Sequence, residues 1–516
     1  MNFKYIFLTG LVFSLLSCKA QTSKVWADFK SSKTTGKEAI LPDFSYAGYK
    51  YSEVEIPTVN YKLFDVTKFG AIPNDLNSDK NAIKKAIKAA EKYGEGIVYF
   101  PKGKYYINTQ NDDISIIEIK SSKIVFRGED KENTILFFDK DLPPTDPNKL
   151  WSCPSAIKVK AKENDKFITK IIGDSKRETF SIKVEDASKI KKGDWIIVKV
   201  KNNSKELIKS DIGPLEPHEK WKKILNEGVM VNERHQVASV KGKTITLVSP
   251  IHYDIESKYG WEILKFEHVN HVGFENLTFK GNWTKKFVHH KNAQHDGGWS
   301  ILSLSDAVDS WIQNCTFKNV NNAASISSSA ACTVLNVEIK GNIGHAAIHA
   351  ANGSTGILLA KINDEAGMHH SVGVGGGSTT GTVIWRCTYP SHTCYESHAS
   401  QPRCTLLDNV KGGFFAGRAG GAIQSLPNHG RYLVFWNYNE TDEAEKDFRF
   451  IATNSWYWRN VPPIIVGFHG AGTTFKKDEV QIVESNGTPV KPESLFEEQL
   501  KLRLGKLPNW ISKEKN

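Results

Sequence analysis

The chain reads as an all-β protein: a right-handed parallel β-helix, or solenoid, with an N-terminal capping helix and a small antiparallel β insertion. Three observations predict this class. First, a phrase of alternating apolar and small or polar residues recurs between His268 and Arg431, ending in turn at Phe279, Phe317, Ile339, Ile362, Tyr389 and Val410. Alternation with period 2 marks a strand with one buried face. The phrase ends lie 38, 22, 23, 27 and 21 residues apart. The shorter steps match one β-helix turn, in which stacked strands bury a continuous apolar column. The longest step is one turn carrying an insertion, the polar stretch from Lys280 to Trp299. Second, Ala82, Ile83, Ala86, Ile87 and Ala90 form one helical face, started by Ser78 or Asp79 and stopped by Gly94. Such a helix, from Ser78 to Tyr93, closes the open end of a solenoid, where strand edges and core are otherwise bare. Third, the texture from 164 to 262 changes to charged hairpins such as Lys192–Val200 and Val237–Leu247.

Taken in order, residues 1–22 read as a bacterial lipoprotein signal. Lys4 supplies the positive start, Tyr5 to Leu16 the apolar segment, and Leu15-Leu-Ser-Cys18 a lipobox that makes Cys18 the lipidated residue. The expectation is an exported outer-membrane lipoprotein, touching the membrane through its lipid only. Apart from this leader no apolar run is long enough to span a bilayer. Residues 23–60 read as tether and lead-in, and 61–163 as the cap and first turns. The insertion covers 164–262, with a helical look from Glu216 to Asn232. Residues 263–460 hold the catalytic turns, so that the β-helix runs from about Phe64 to Trp458. Residues 461–516 hold last strands and a packing helix over 494–504, with Ser494 as N-cap and Glu497 completing a capping box. Trp456-Tyr-Trp458 reads as buried aromatics. The cysteines after the leader, Cys153, Cys315, Cys332, Cys387, Cys394 and Cys404, match no zinc module. Export permits disulfides among them, with no pairing fixed by the sequence.

The segment from Phe64 to Ile107, with its helix and the Gly96–Ile107 strand-turn-strand, resembles the N-terminal block of pectate-lyase-like β-helix proteins. That resemblance implies the fold and not the reaction, because the group includes lyases, glycoside hydrolases, epimerases and esterases. Later segments, Cys387–Arg403 and Phe414–Arg431, resemble in a general way the ulvan-lyase-like polysaccharide lyases of marine Bacteroidetes. No catalytic residue is carried over from them.

Chemistry is written into the repeat. Net charge is +11 and the pI about 9.0, which favours an anionic partner. For an exported chain that partner is a polysaccharide rather than nucleic acid. Ten of the 16 histidines fall between His289 and His429, where carboxylates are sparse. Counted from the phrase ends, His345, His369, His370, Glu396, His398 and Arg418 share a narrow window, which places them in a stripe along one edge of the solenoid. A glycoside hydrolase generally needs two carboxylates, about 5–5.5 Å or 6.5–9.5 Å apart. A lyase acting on a uronic acid needs a base for the proton alpha to the carboxylate, and a cation for the charge that develops there. The residue types favour β-elimination of a uronic-acid-containing polymer, which the resemblance implies is ulvan-like. A hydrolase of an anionic or sulfated polysaccharide is the alternative, and a non-catalytic glycan-binding solenoid the third reading.

His398 is the expected base, with His369 or His370 and Arg403 and Arg418 in the reaction centre and Tyr395 in reserve. Arg403 or Arg418 would neutralise the substrate carboxylate. His345, His349, His392, Glu396, His429 and Arg431 are expected to bind substrate. No cofactor is indicated with certainty. Calcium stays open, with Glu365, Glu396 and Asp408 as the carboxylates able to hold it. Gly373-Val-Gly-Gly-Gly-Ser378 lacks the lysine of a phosphate loop and reads as tight turns.

Overall fold

A computed structural model describes residues 21–414, 420–451 and 459–514. The lipobox with Cys18, the catalytic candidate Arg418 and the aromatic run Trp456–Trp458 lie outside the described residues. Among the described residues, no helix is long and apolar enough to cross a membrane.

One parallel sheet runs the length of the molecule, from the strand Leu63–Asp65 to the strand Ile482–Glu484. A second parallel sheet stacks Ile117–Ile119, Ile157–Val159, Ser300–Ser305, Asn322–Ser327, Ala346–Ala351, Gly373–Gly375 and Glu396–His398. Its outer face carries the candidate site, and it is called the groove sheet below. Between the sheets lies a continuous apolar column. Phe100, Phe126 and Phe274 stack in it at 5.5 and 5.2 Å between centroids, and Phe279 on Phe317 at 5.0 Å. The solenoid is the parallel β-helix that the repeat predicts.

The cap helix spans Lys80–Tyr93 and buries Ala82, Ile83, Ala86, Ile87 and Ala90. Ser78 Oγ accepts from the Lys80 amide at 3.2 Å. The Asp79 carboxylate instead accepts from the amides of Ile72 and Tyr106, at 2.8 and 3.0 Å, tying the helix start to the first turn. At the far end Phe414, Phe448, Phe468 and Phe475 fill the core.

The register corrects the spacing in one place. Phe279 pairs with Phe317 and Phe317 with Ile339, but Ile339 pairs with Asp364 and Ile362 stacks on Val337. The phrase end slips by two residues because this turn closes on a polar corner. There the buried Asp364 carboxylate accepts from the amides of Gly367 and Met368 and from Ser371 Oγ.

Residues 23–60 are not a tether. The helix Lys24–Thr35 buries Val25, Trp26 and Phe29. They join Leu41 and Phe44, the sheet residues Trp311, Leu335, Trp385 and Trp436, and the C-terminal Phe496 and Leu500 in one apolar layer. The cause lies in the long sheet, whose strands are apolar on both faces, so its outer face must be covered. The C-terminal helix, Leu495–Leu504, is capped by Ser494, whose Oγ accepts from the Glu497 amide at 3.2 Å. The Glu497 carboxylate accepts from Trp385 Nε1 and Arg386 Nε, at 3.1 and 3.0 Å, which pins the helix to the sheet.

The insertion is a six-stranded antiparallel sheet between Lys166 and Lys265. Helix within the expected 216–232 stretch is confined to Lys222–Glu227, and Val229–Lys241 is a strand whose alternate residues Val229 and Val231 are buried. The six cysteines among the described residues are free thiols.

Candidate functional site

The groove sheet alternates as a strand must. Leu302, Leu304, Ala324, Ile326, Ile348, Ala350 and Val374 enter the core, and their neighbours face out. The register sets Lys158, Ser303, Ser325, His349, Gly373 and Glu396 in one outward row. Ser305, Ser327 and Ala351 form the next row, and Gly375 pairs with His398. Small residues make this face a trough, and its imidazoles stand at one end.

Glycine is needed at the centre of that end. A Cβ on Gly373 would lie 2.4 Å from the Glu396 carbonyl oxygen and 2.9 Å from Glu396 Cβ. The missing side chain lets His349 and Glu396 meet across the intervening strand, Nε2 to Oε2 at 3.1 Å. His370 Nδ1 approaches the other oxygen at 3.4 Å. Because His349 Nε2 also lies 2.9 Å from the Ser371 carbonyl, which can only accept, Nε2 carries the proton and Nδ1 holds the lone pair. Burial pushes the Glu396 carboxyl well above the usual carboxylate range, which favours its neutral form. Burial, then the charge of His398, pulls His349 down to about 4. Gly373→Ala is expected to cost about 1–3 kcal/mol through overpacking and to separate His349 from Glu396. Thermal unfolding and turnover should both fall; a variant with wild-type values for each would contradict this packing.

His398 is exposed at the sheet edge, yet crowded by protein on several sides. Desolvation, followed by the charges of His290 and Lys223, lowers its pKa, leaving a neutral imidazole at neutral pH. Lys223 comes from the insertion and donates to Ser400 Oγ at 2.9 Å. It is a cation beside the expected base, marked in the sequence only by a lysine-rich run.

The Lys280–Trp299 insertion folds over the same end of the trough. It brings His289 against His369, with ring centroids 4.1 Å apart, and near His370 and His345, at 5.3 and 5.4 Å. Phe287 packs on His345 and His369 at 6.1 and 5.6 Å. His345 and His370 are held well below the usual histidine value by burial and then by their neighbours' charge. One ring nitrogen from each of His289, His369 and His370, or of His289, His290 and His345, lies within 4.8 Å of the others. Sequence reasoning passed over His289 and His290 because they sit in the insertion, outside the repeat. The doubled histidine, matched by His369-His370, was the available signal.

The structure thus brings together His345, His349, His369, His370, Glu396 and His398, and it puts the other candidates elsewhere. Arg403 is buried in an ion pair with Asp211 at 2.8 Å, its guanidinium 4.6 Å from the Tyr253 ring. Arg431 donates to the carbonyls of Ser210 and Asp211. Both arginines dock the insertion. Tyr395 is buried among Phe414 and Phe435, and burial raises its phenol well above the ordinary value, which disfavours the tyrosinate that a base would need. His429 is buried, bonded to Thr405 Oγ1 and the Gly430 carbonyl at 2.9 Å each. His392 is exposed on a neighbouring turn, its ring against Gly367. The three calcium candidates do not converge. Asp408 accepts from Ser494 Oγ and the amides of Leu495 and Phe496 at the start of the C-terminal helix. Glu365 is exposed on a turn leaving the long sheet, and Glu396 lies in the groove sheet. Gly373–Gly375 is a strand, not a turn; the turn follows at Gly376 and Gly377, both at positive φ.

Residues 63–143 match the family described as rhamnogalacturonase A/epimerase, pectate lyase-like, and residues 367–514 match a domain of unknown function, DUF4955. No curated protein matches the chain. Among solved structures, the tailspike protein gp49 from Pseudomonas phage LKA1 is 12% identical, with a TM-score of 0.43, over 80% of this chain and 68% of that one. The mannuronan C-5 epimerase AlgE6 A-module of Azotobacter vinelandii is 11% identical (TM-score 0.33; 78% of this chain, 85% of that one). PfbA, a surface adhesin of Streptococcus pneumoniae, is 12% identical (TM-score 0.35; 79% and 84%). Likenesses this distant assign no activity. With its cap helix and stacked parallel sheets the chain is a parallel β-helix, and its N-terminal segment is similar to the pectate-lyase-like family.

Proposed function

We propose that the chain is a polysaccharide-active enzyme, and specifically a lyase that cleaves a uronic-acid-containing, ulvan-like polysaccharide by β-elimination. The donor set of the trough carries this reading. Across Gly373 an imidazole, His349, faces one carboxyl, Glu396, with the His398 imidazole beside Gly375, rather than a pair of carboxylates. In this scheme the sugar carboxylate lies beside Lys223, which balances the charge that develops on it. His398 takes the proton from the carbon alpha to that carboxylate. The C–H electrons become the new C=C bond as the C–O bond to the next sugar breaks, and the leaving oxygen takes up a proton from water or from the imidazolium of His398. Glu396 acts as a positioning residue, holding His349 and His370 at the trough floor. The raised Glu396 pKa also suits the acid of a glycoside hydrolase, which is the second reading. Elimination gives an unsaturated, ultraviolet-absorbing product. Hydrolysis gives new reducing ends without that absorbance, and a pure binder gives neither. A panel of ulvan, alginate, pectin and glycosaminoglycans distinguishes them. The export signal belongs to the same reading: with Cys18 lipidated, the enzyme would act at the outer membrane.

Binding should be governed by charge, given the net +11 and Lys158 and Lys223 along the trough. Affinity for a polyanion is expected to fall as the Debye length shrinks from about 10 Å at 0.1 M salt to about 3 Å at 1 M. A titration giving the same Kd at both, or equal binding of neutral glycans, would count against it.

A further inference from the structure

We infer that the imidazole cluster at the end of the trough holds one divalent transition-metal ion, with His289 as its essential ligand. Five histidines from three separate turns meet there. The two possible triads, His289 with His369 and His370 or His289 with His290 and His345, share only His289. Tetrahedral zinc with bonds of about 2.0–2.1 Å sets its nitrogens about 3.4 Å apart. Nitrogens already within 4.8 Å need only small rotations of the rings to reach that spacing.

A second observation is independent of the triads: one of the rings is aimed by a buried carboxylate. His290 Nδ1 lies 2.6 Å from Asp296 Oδ2, and the His290 amide donates to Asp296 Oδ1 at 3.0 Å. Asp296 is 3% exposed. On the other side the Glu396 carboxyl, held toward its neutral form by burial, stands 3.4 Å from His370 Nδ1. In the His290 pair the carboxylate takes the Nδ1 side of the ring and leaves Nε2 as the coordinating atom. This carboxylate–histidine arrangement is the one that orients metal ligands and strengthens them as donors. Phe287 and Trp283 back the cluster with apolar surface, Phe287 against His345 and His369 and Trp283 against His295. The donors are all nitrogen, which selects zinc, cobalt, nickel or copper over calcium or magnesium, whose ligands are oxygens. The ion is therefore of a different class from the calcium that the carboxylates alone would invite, and its binding does not depend on which reaction the trough performs.

The test is zinc binding by the full chain, prepared without a polyhistidine tag. Isothermal titration and metal analysis after dialysis are expected to give one zinc per chain, and zinc should raise the unfolding temperature. His289→Ala, an exposed loop position whose loss leaves the core intact, should weaken binding at least 100-fold and abolish the zinc-dependent thermal shift. Asp296→Asn should weaken binding by about 10–100-fold, the usual cost of losing such a partner. Ser303→Ala, in the same trough but without a nitrogen donor, should bind as the wild type does. Failure of the wild type to retain zinc at micromolar concentration would overturn the inference. So would a folded His289→Ala protein with wild-type affinity and an undiminished thermal shift.

Discussion

Replacing His398 by alanine is expected to lower turnover of an acidic polysaccharide on the order of 100-fold or more, the scale for losing a positioned acid–base group. The residue pairs with Gly375 in the groove sheet, so no side chain on the preceding strand obstructs it. Burial and the charges of His290 and Lys223 keep it neutral and therefore able to take a proton. The pH profile carries the sign of this assignment. A base must be deprotonated, so kcat/KM should rise with pH through a value below the ordinary 6.5 of a histidine and be level across neutrality. In the alanine variant that acidic limb should vanish along with the rate. A folded His398→Ala protein with full turnover would remove the residue from catalysis and shift attention to Nδ1 of His349. A wild-type limb lying above 6.5 would point to a different base.

The second large effect concerns stability. Arg403→Ala should destabilise the protein by about 3–5 kcal/mol, because it strands a charge that was paired and buried. Arg403 and Asp211 are 2% and 3% exposed and 2.8 Å apart, and the same guanidinium covers the Tyr253 ring. Arg403→Lys should recover only part of the loss, since an ammonium cannot reproduce the fork that meets both Asp211 oxygens. Denaturant unfolding measures the change. The double variant Arg403→Met with Asp211→Asn should lie closer to the wild type than Arg403→Ala alone. If Arg403→Ala unfolds like the wild type while its turnover collapses, the arginine acts on substrate after all.

Arg403 also shows where the sequence stops being legible. Its type and its place in a polar loop suit carboxylate recognition equally well as docking, and the choice depends on Asp211, almost two hundred residues away in an insertion with its own sheet. The solenoid was legible because its signal is local and repeated: each turn shows the same alternation, and Phe279, Phe317 and Ile339 stack as that alternation requires. The cap helix was legible for the same reason, through Ala82, Ile83, Ala86 and Ile87 on one face. What failed was placement across turns. The slip at Ile362 followed from the polar corner at Asp364, which spacing does not reveal. The packing of Trp26 and Phe29 was hidden because the surface they cover is the outer face of a distant sheet. Within the site, His345, His369, His370, Glu396 and His398 could be grouped from the repeat. Lys223, His289 and His290 could not, because they arrive from insertions whose fold alone decides where they point.

The most direct test of the account follows one reaction in two ways: ultraviolet absorbance of the products formed from ulvan and other uronate polymers, and their mass. β-Elimination predicts a rise in absorbance and oligosaccharides one water lighter than hydrolysis would yield, with both signals falling together in His398→Ala. Chains shortened without absorbance and carrying the added water would instead make the trough a hydrolase, with Glu396 as its acid, and would contradict the elimination chemistry assigned to it.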